Sequence, residues 1–410
     1  MNSQKGIVGC LLLACTLQMS AQVKTYKYRV NFRDKAETTY ALDKPSAYLS
    51  ERALERRMKQ GLPVDSTDIP VCRSYIDMLV GKGAQLVSKS KWNNTVVVQV
   101  SDTSVIDKVA ALPFVTAVRK VWTAPDSIPA RNADRKKEVT NRVTKSNNYY
   151  GDAWRQIAVH HGDSLHAAGF RGKGMQIAVI DAGFYNADEI SVFKGMDLLG
   201  TRDFVNSHSD IYAENYHGMK VLSCMAANKP NVLVGTAPEA SYWLLRSEDD
   251  DTEQPVEEDY WAEALEFADS VGVDVINTSL GYYSFDDKSK NYKYRDLDGR
   301  HALMSRQASH IADKGMILVC SAGNSGAGSW KKITPPGDAD NVLTVGAIDK
   351  RAVLATFSSV GNTADHRVKP DVVAVGVGSD VIRTDGNQGR ANGTSFSSPI
   401  TVSYTHLTLP

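Results

Sequence analysis

The chain has 410 residues, 42% of them hydrophobic, with 47 Lys or Arg balanced by 47 Asp or Glu. This length and composition are typical of a globular protein with two or three domains. The balanced charge gives no reason to expect nucleic acid or an anionic membrane as a partner.

Residues 1–21 predict a secretory signal peptide. They contain an apolar run over residues 7–17, followed by small residues before a cleavage site at Ala21. The run is too short to span a bilayer, and no later segment is long enough for a transmembrane helix. An alternative is a lipoprotein cleavage site that leaves Cys15 lipidated. We therefore expect a secreted or periplasmic protein, or one anchored by lipid at the outer surface.

Residues 22–122 predict a small α+β domain. Several segments have the alternating or β-branched pattern of strands, and others have a helical pattern. The predicted strands cover residues 26–32, 95–100 and 115–121, and the predicted helices cover residues 50–60 and 105–111.

Residues 123–148 predict an exposed linker. The segment is rich in Pro, Asn, Arg and Lys and has little apolar content, so it cannot bury enough surface to order itself. Exposed polar linkers are preferred sites of proteolysis. We expect a maturation cleavage here, and the basic candidates are Arg131, Arg135, Lys136 and Lys137.

Residues 149–400 predict an α/β domain, because short apolar strands alternate with helical patterns. This alternation indicates a parallel sheet with helices on both faces. Functional sites of such sheets lie at the carboxyl ends of the strands. The predicted strands cover 177–180, 240–245, 273–276, 317–320 and 342–345, and the clearest helices cover 260–270 and 303–314.

Four polar residues stand at the ends of these elements. Asp181 follows the first strand, His217 opens a helical pattern beside Gly218, and Asn324 lies in a turn after the strand at 317–320. A glycine beside the imidazole would let a neighbouring backbone come close. Ser395, between Gly393 and small residues, is predicted as an exposed hydroxyl in the first turn of a helix.

These residue types suit one chemistry. A serine hydroxyl becomes a good nucleophile when a histidine takes its proton, and a carboxylate must orient that histidine. Attack on a carbonyl also places negative charge on its oxygen, which an asparagine amide and a backbone N–H can stabilise. Proline is tolerated in the first turn of a helix, so Pro399 is predicted to lie there with Ser395.

In this order, the four motifs resemble those of the subtilisin-like serine proteases, the subtilases, which share this chain order of acid, histidine and serine. The resemblance implies Asp181 as the orienting acid, His217 as the general base, Asn324 as the oxyanion donor and Ser395 as the nucleophile. Ala182 and Met219 depart from the family pattern, and we expect both to alter packing more than mechanism.

The resemblance also implies a life cycle for the protein. Residues 22–122 would be a propeptide domain that assists folding and acts as an intramolecular inhibitor until it is removed. The protein would be a secreted serine endopeptidase that cleaves polypeptides through an acyl-enzyme. No cofactor is expected to be required. Calcium could serve as a structural ion, although no ligand loop can be named.

Substrate-binding residues follow from the same resemblance. Ser279, Leu280 and Gly281 would form the edge with which an extended peptide pairs by β-addition. Gly323 and Thr334 would lie at the pocket for the residue before the cut bond. Its floor, residues 334–337, carries no charge, which favours an uncharged, apolar residue.

An acidic segment follows the predicted strand at 240–245. It runs from Glu248 to Asp259 and is predicted as a loop, with acids at 248–251, 253 and 257–259. One interpretation is a solvated loop. The other is that the segment borders the cleft and favours basic residues some way upstream of the cut.

Three cysteines, Cys72, Cys224 and Cys320, would remain after signal-peptide removal. An odd number in separate segments favours buried thiols over a disulfide framework. A bridge between Cys224 and Cys320 stays open, because the sequence does not give the distance between them.

Residues 401–410 are predicted to be a non-native tail on a truncated domain. They are β-branched and polar, whereas the serine helix of this fold should continue with small and apolar residues. We expect the chain as written to be unstable or inactive. The alternative function is a catalytically incompetent subtilase that acts as a binding module. An esterase of the α/β-hydrolase type is disfavoured, because position 397 is serine instead of glycine.

Overall fold

A computed structural model describes residues 24–126 and 138–405, which form two packed domains. The first domain has a four-stranded antiparallel sheet with strand order β2-β3-β1-β4. Its elements are β1 (Tyr26–Phe32), α1 (Glu51–Lys59), α2 (Arg73–Gly81), β2 (Gln85–Ser90), β3 (Thr95–Val100), α3 (Ser104–Ala110) and β4 (Val115–Thr123).

Both faces of the central strand β3 are buried. Along β3, Val96 and Val98 pack against the domain's own core, whereas Val97 points the other way and joins the core of the second domain. Alternate side chains of a strand face opposite sides of the sheet. The apolar run of β3 therefore joins the two domains.

The second domain contains a seven-stranded parallel sheet with strand order β13-β12-β11-β10-β5-β9-β6. The strands of this sheet are β5 (Gln176–Asp181), β6 (Asp197–Asp203), β9 (Ser241–Arg246), β10 (Val275–Thr278), β11 (Ile317–Ser321), β12 (Leu343–Ile348) and β13 (Val372–Val375). Two separate two-stranded sheets pair β7 (Asn228–Lys229) with β8 (Leu233–Val234) and β14 (Ser379–Ile382) with β15 (Gln388–Ala391). The helices of this domain are α4 (Trp154–Ala158), α5 (Gly162–Ala167), α6 (His217–Ala226), α7 (Val256–Val271), α8 (Leu303–Ser309) and α9 (Thr394–Thr405).

Helices cover both faces of the parallel sheet. On β5, Ile177 and Val179 face the core that includes α6 and α9, while Ala178 and Ile180 face the core that includes α7 and α8. A strand buried on both faces is continuously apolar, which is why β5 could be predicted. The predicted fold class, an α/β sheet preceded by a small α+β domain, is confirmed.

The missed elements are the least regular ones in the sequence. β6 is an edge strand with mostly exposed residues and several charges, and the edge strand β13 is only four residues long. Neither has the apolar run that identified the central strands. The helix α2 and the strand β2 were also missed, and β10 begins two residues later than predicted.

The last helix continues beyond the predicted break at residue 400. Helix α9 extends to Thr405, and Thr401 and Val402 are buried. The Thr401 hydroxyl donates to the carbonyl of Ser397, so this polar residue is accommodated inside the helix. Residues 406–410 of the predicted tail, like the predicted signal peptide, lie outside the described residues.

The three described cysteines are free thiols. Cys224 packs on the α6 face of the large sheet and Cys320 on the α7 face, so the bridge that we considered is not formed. Burial raises the pKa of Cys320 to about 12 and raises that of Cys224 as well. Both thiols are therefore protonated and inert at neutral pH.

None of the helices within the described ranges is long and apolar enough to cross a membrane.

Helix α7 is the main contact between the domains. Its acidic residues Asp259, Glu263, Glu266 and Asp269 accept hydrogen bonds from the first domain. At Asp269, Arg56, Arg57 and Lys91 converge on one fully buried carboxylate. Burial alone would raise the pKa of Asp269, but these cations hold it below its usual value.

We expect Asp269→Asn to weaken the docking of the first domain strongly. The change leaves buried cations without their counter-charge, which typically costs about 3–5 kcal/mol. The measurement is the free energy of unfolding in urea, made in a Ser395→Ala background so that self-cleavage cannot intervene. The control is Asp77→Asn, which removes an exposed i,i+4 partner of Arg73 and should cost less than about 1 kcal/mol. Equal losses in the two variants would contradict this view of the interface.

Candidate active site

The four residues singled out in the sequence meet at the carboxyl edge of the parallel sheet. Asp181 is the last residue of β5, and His217 is the first residue of α6. Asn324 lies just after β11, and Ser395 is the second residue of α9. The ring centroid of His217 lies 6.1 Å from that of Phe396, the residue that follows Ser395.

Asp181 and His217 form a direct hydrogen bond. The imidazole Nδ1 lies 2.7 Å from Oδ1 of Asp181, whose side chain is fully buried. A carboxylate only accepts, so Nδ1 carries a proton and Nε2 of the neutral ring is available as an acceptor. The Ala182 N–H donates to the same Oδ1 at 2.8 Å.

The surroundings of His217 act on its pKa in opposite directions. Burial lowers it, whereas the negative charges of Asp181 and Glu248 and the hydrogen bond to Asp181 raise it. The net effect raises the pKa above its usual value of about 6.5. The carboxylates therefore stabilise the imidazolium form of the ring.

The start of α6 is fixed by backbone contacts. The His217 N–H donates to Oδ1 of Asn215 at 2.7 Å. At Gly218, an added Cβ would lie 2.5 Å from the carbonyl oxygen of Gly183 and 2.8 Å from the Cβ of Asp181. The expected close approach beside the imidazole is confirmed, and it brings the helix against the turn that holds Asp181.

Asn324 is oriented by the residue before Ser395. Its Oδ1 accepts hydrogen bonds from the backbone N–H and the hydroxyl of Thr394, at 2.9 and 3.0 Å. The Gly323 N–H in turn donates to the Thr394 hydroxyl at 3.1 Å. These contacts involve only the oxygen of the Asn324 amide, so its NH2 group is not used in them.

Ser395 and Ser279 bond to each other in both directions. The Ser279 hydroxyl donates to the Ser395 carbonyl at 2.9 Å, and the Ser395 hydroxyl donates to the Ser279 carbonyl at 3.4 Å. Ser395 is only 7% exposed, so the prediction of an exposed hydroxyl is wrong.

Pro399 lies inside α9, not in its first turn, and that prediction is also wrong. In a regular helix, the N–H of residue 399 would donate to the carbonyl of residue 395. Proline lacks this N–H, and the Ser279 hydroxyl donates to the Ser395 carbonyl instead. The proline therefore frees a carbonyl that ties the serine helix to the segment after β10.

The residues predicted to bind substrate lie together beside Ser395. A Cβ added to Gly281 would lie 2.3 Å from the Thr334 hydroxyl, and one added to Gly323 would lie 3.2 Å from the same atom. Leu280 is buried at 5% exposure. The segment of Ser279 and the turns of Gly323 and Thr334 therefore share one wall.

The acidic segment divides into two parts. Glu257, Glu258 and Asp259 belong to the first turn of α7 and are buried, so the prediction of a loop through residue 259 is wrong. The first part borders a cavity of about 330 Å³. That cavity is lined by Glu248, Asp249, Asp250, Asp251, Thr252, Glu253, Glu257 and Asp286.

Glu248 connects this cavity to the Asp181–His217 pair. Its Oε1 accepts a hydrogen bond from the Tyr282 hydroxyl at 2.8 Å. Burial and the charge of Asp181 raise the pKa of Glu248 to about 8, against the opposing effects of Tyr282 and His217. The carboxyl therefore loses its proton at a higher pH than an ordinary glutamate does.

Among residues 24–126 and 138–405, no group of three or more His, Cys, Asp or Glu side chains is arranged to hold a metal ion.

Sequence reasoning missed three supporting residues: Arg246, Asn215 and Tyr282. Arg246 could have been suspected, because it ends an apolar strand with a charge at the level where Asp181 ends the neighbouring strand. Asn215 and Tyr282 act through contacts with residues distant in the chain. No local pattern marks them.

Comparison with known families decides the classification. Residues 172–405 match the Subtilase family, Peptidase S8. The chain belongs to this family. It is therefore a serine endopeptidase by class. A second match covers residues 27–140, which resemble the Peptidase S8 propeptide domain of Bacteroidota.

Individual subtilases match over 58% of this chain. Subtilisin DY from Bacillus licheniformis is 31% identical over 243 residues, which cover 77% of its length. Subtilisin NAT from Bacillus subtilis subsp. natto is 28% identical over 243 residues, or 55% of its length. Subtilisin Savinase from Lederbergia lenta is 28% identical over 237 residues, or 76% of its length.

We expect kcat/KM for a neutral peptide to rise with pH through a midpoint above about 6.5. The base must be neutral to accept a proton, and the carboxylates near His217 raise its pKa. The measurement is the pH profile of kcat/KM. Asp181→Asn is the reference variant, and it should lower kcat by about 10⁴ because the wrong tautomer is held. A wild-type midpoint below 6 would contradict this assignment of the base.

Proposed function

We propose that this protein is a secreted serine endopeptidase, made as an autoinhibited zymogen, that acts through Asp181, His217 and Ser395. The proposal rests chiefly on one observation, the 2.7 Å bond between the buried Asp181 carboxylate and His217. That bond lies at the sheet edge where Ser395 and Asn324 also lie. This arrangement suits hydrolysis through an acyl-enzyme.

The chemistry begins at the serine hydroxyl. Rotation of the Ser395 side chain moves its hydroxyl from the Ser279 carbonyl toward Nε2 of His217. Oγ then attacks the peptide carbonyl carbon while its proton passes to Nε2, and Asp181 stabilises the imidazolium. The imidazolium gives this proton to the leaving amine, the C–N bond breaks, and the acyl-enzyme remains. Water, activated by the same imidazole, then releases the acid.

The developing oxyanion has two candidate donors. The Asn324 amide NH2 is one, because its oxygen is held by Thr394. The Ser395 N–H is the other, because the first turn of a helix provides no intrahelical acceptor for it. Such preorganised donors favour the charged tetrahedral state over the planar carbonyl.

The substrate class follows from the cleft. Ser279, Leu280 and Gly281 continue beyond β10 and offer backbone groups to an extended peptide. Main-chain pairing of this kind favours polypeptides over small esters. The uncharged segment 334–337 favours an apolar residue before the cut bond.

Autoinhibition is supported by the position of the first domain. Its last strand, β4, ends at Thr123, whose N–H and carbonyl both bond to the Gln254 side chain, at 2.9 and 3.0 Å. The Trp122 indole N–H donates to the Thr252 hydroxyl at 3.3 Å. The chain therefore leaves the propeptide beside the acidic cavity.

Maturation would cut the linker of residues 123–148. The basic candidates at 131 and 135–137 lie outside the described residues. Secretion through the signal peptide at 1–21 completes the proposed pathway, with lipidation of Cys15 as the alternative.

The decisive experiment is labelling with a fluorophosphonate probe, which reacts with activated serines. We expect the wild-type protein to be labelled and to digest casein faster than it hydrolyses a short-chain ester, with both signals lost in Ser395→Ala. Asn324→Ala should lower kcat by about 10²–10³, the magnitude known from subtilisin itself. A folded protein that binds peptides but resists labelling would instead be a catalytically incompetent binding module.

We expect Glu248→Gln to reduce a preference for basic residues upstream of the cut. At pH 9 the Glu248 carboxyl is ionised, so its removal should lower kcat/KM for Lys- or Arg-bearing peptides by roughly tenfold. Neutral peptides should be affected less. The matched control is Glu239→Gln, a partly exposed acid that pairs with Arg171. Equal loss on both peptide classes would show that the segment is a solvated loop without a role in specificity.

A further inference from the structure

Arg246 is a buried cation next to the catalytic carboxylate. It ends β9 and is the register partner of Asp181 on β5, and it is only 1% exposed. Its guanidinium donates through Nε to the carbonyl of Ala182 at 3.0 Å. It also pairs with Asp203 at 2.9 Å and with Glu214 at 3.3 Å.

These partners belong to the segments that carry the acid and the base. Ala182 directly follows Asp181. Glu214 directly precedes Asn215, whose side chain accepts the N–H of His217. A Cβ added to Gly183 would lie 2.5 Å from the Asn215 nitrogen, so the two segments are also in van der Waals contact. The Arg246 guanidinium therefore contacts both the segment after Asp181 and the segment before His217.

The catalytic carboxylate has few other supports. Its Oδ1 accepts from both Ala182 and His217, while its buried Oδ2 has no hydrogen-bond partner among the described residues. Alanine at position 182 has no side-chain donor to offer. The orientation of Asp181 thus depends on the backbone turn that contains Ala182, and Arg246 holds that turn through its carbonyl.

We propose that Arg246 is a positioning residue that sets the geometry of the Asp181–His217 pair by tying the turn at Ala182 to the segment at Glu214. The inference rests on the proposed function. It requires arginine in particular, because the planar guanidinium donates in several fixed directions at once. A lysine ammonium cannot reproduce this fork across one carbonyl and two carboxylates.

The principal variant is Arg246→Lys, which keeps a positive charge near Asp203 and Glu214. We expect kcat per active site to fall by about 10- to 100-fold, because a small misplacement of a catalytic group has that effect. KM should change little. The acid limb of the pH profile should move to lower pH, because His217 loses part of the stabilisation that Asp181 supplies.

The control variant is Lys369→Arg, which makes the same kind of exchange at another buried cation. Lys369 donates to the carbonyl of Val342 and to the carboxylate of Asp371, at the far edge of the sheet. We expect Lys369→Arg to change the stability of the protein without changing kcat per active site or the midpoint of the pH profile. Active sites are counted by fluorophosphonate titration.

A second measurement needs no catalysis and separates the two proposals. The His217 pKa is measured by NMR in the Ser395→Ala protein and in the same protein carrying either Arg246→Lys or Glu214→Ala. Glu214→Ala removes the contact between Arg246 and the segment before His217. Both variants should lower this pKa. If neither folded variant moves it, Arg246 is merely structural and the inference is overturned. If the wild type resists labelling while the pKa still shifts, the proposed function fails and the positioning role stands.

Discussion

The contact between Asp181 and His217 is the constraint on which the rest of the structure depends. A fully buried carboxylate is costly unless it is hydrogen-bonded, and among the described residues only the Ala182 N–H and the imidazole supply such bonds to Asp181. The strand β5 places the acid at the end of the sheet, and the tight contact at Gly218 brings the first turn of α6 against it. The end of β5 and the first turn of α6 are thus placed so that this bond can form.

Carboxyl groups in this protein differ in role because their surroundings differ. Asp269 receives cations from three side chains of the propeptide, so its pKa is lowered and it serves as an anchor. Burial and the nearby charge of Asp181 instead raise the pKa of Glu248 to about 8. A carboxyl group is thus a paired ion at one end of α7 and a titrating group near Asp181 and His217.

Much of the architecture could be predicted, because buried parallel strands are short apolar runs. The strands β5, β9 and β11 were located within a residue or two for this reason, and their carboxyl ends identified Asp181 and Asn324. The edge strands β6 and β13 were missed because exposure removes the apolar signal. The extent of α7 was misjudged, since Glu257, Glu258 and Asp259 looked like loop residues but are buried against Arg29, Tyr292 and the backbone.

The sequence by itself determined the fold class and the propeptide, and it predicted the four residues of the candidate site, because each leaves a local pattern of polarity and spacing. Only the tertiary structure decided which partners these residues have. The bond from Ser279 to the carbonyl that Pro399 leaves free joins residues 116 positions apart. The guanidinium of Arg246 joins residues from three separate segments. Such contacts join residues that are distant in the sequence and close only in the folded chain. No local pattern of residues therefore predicts them.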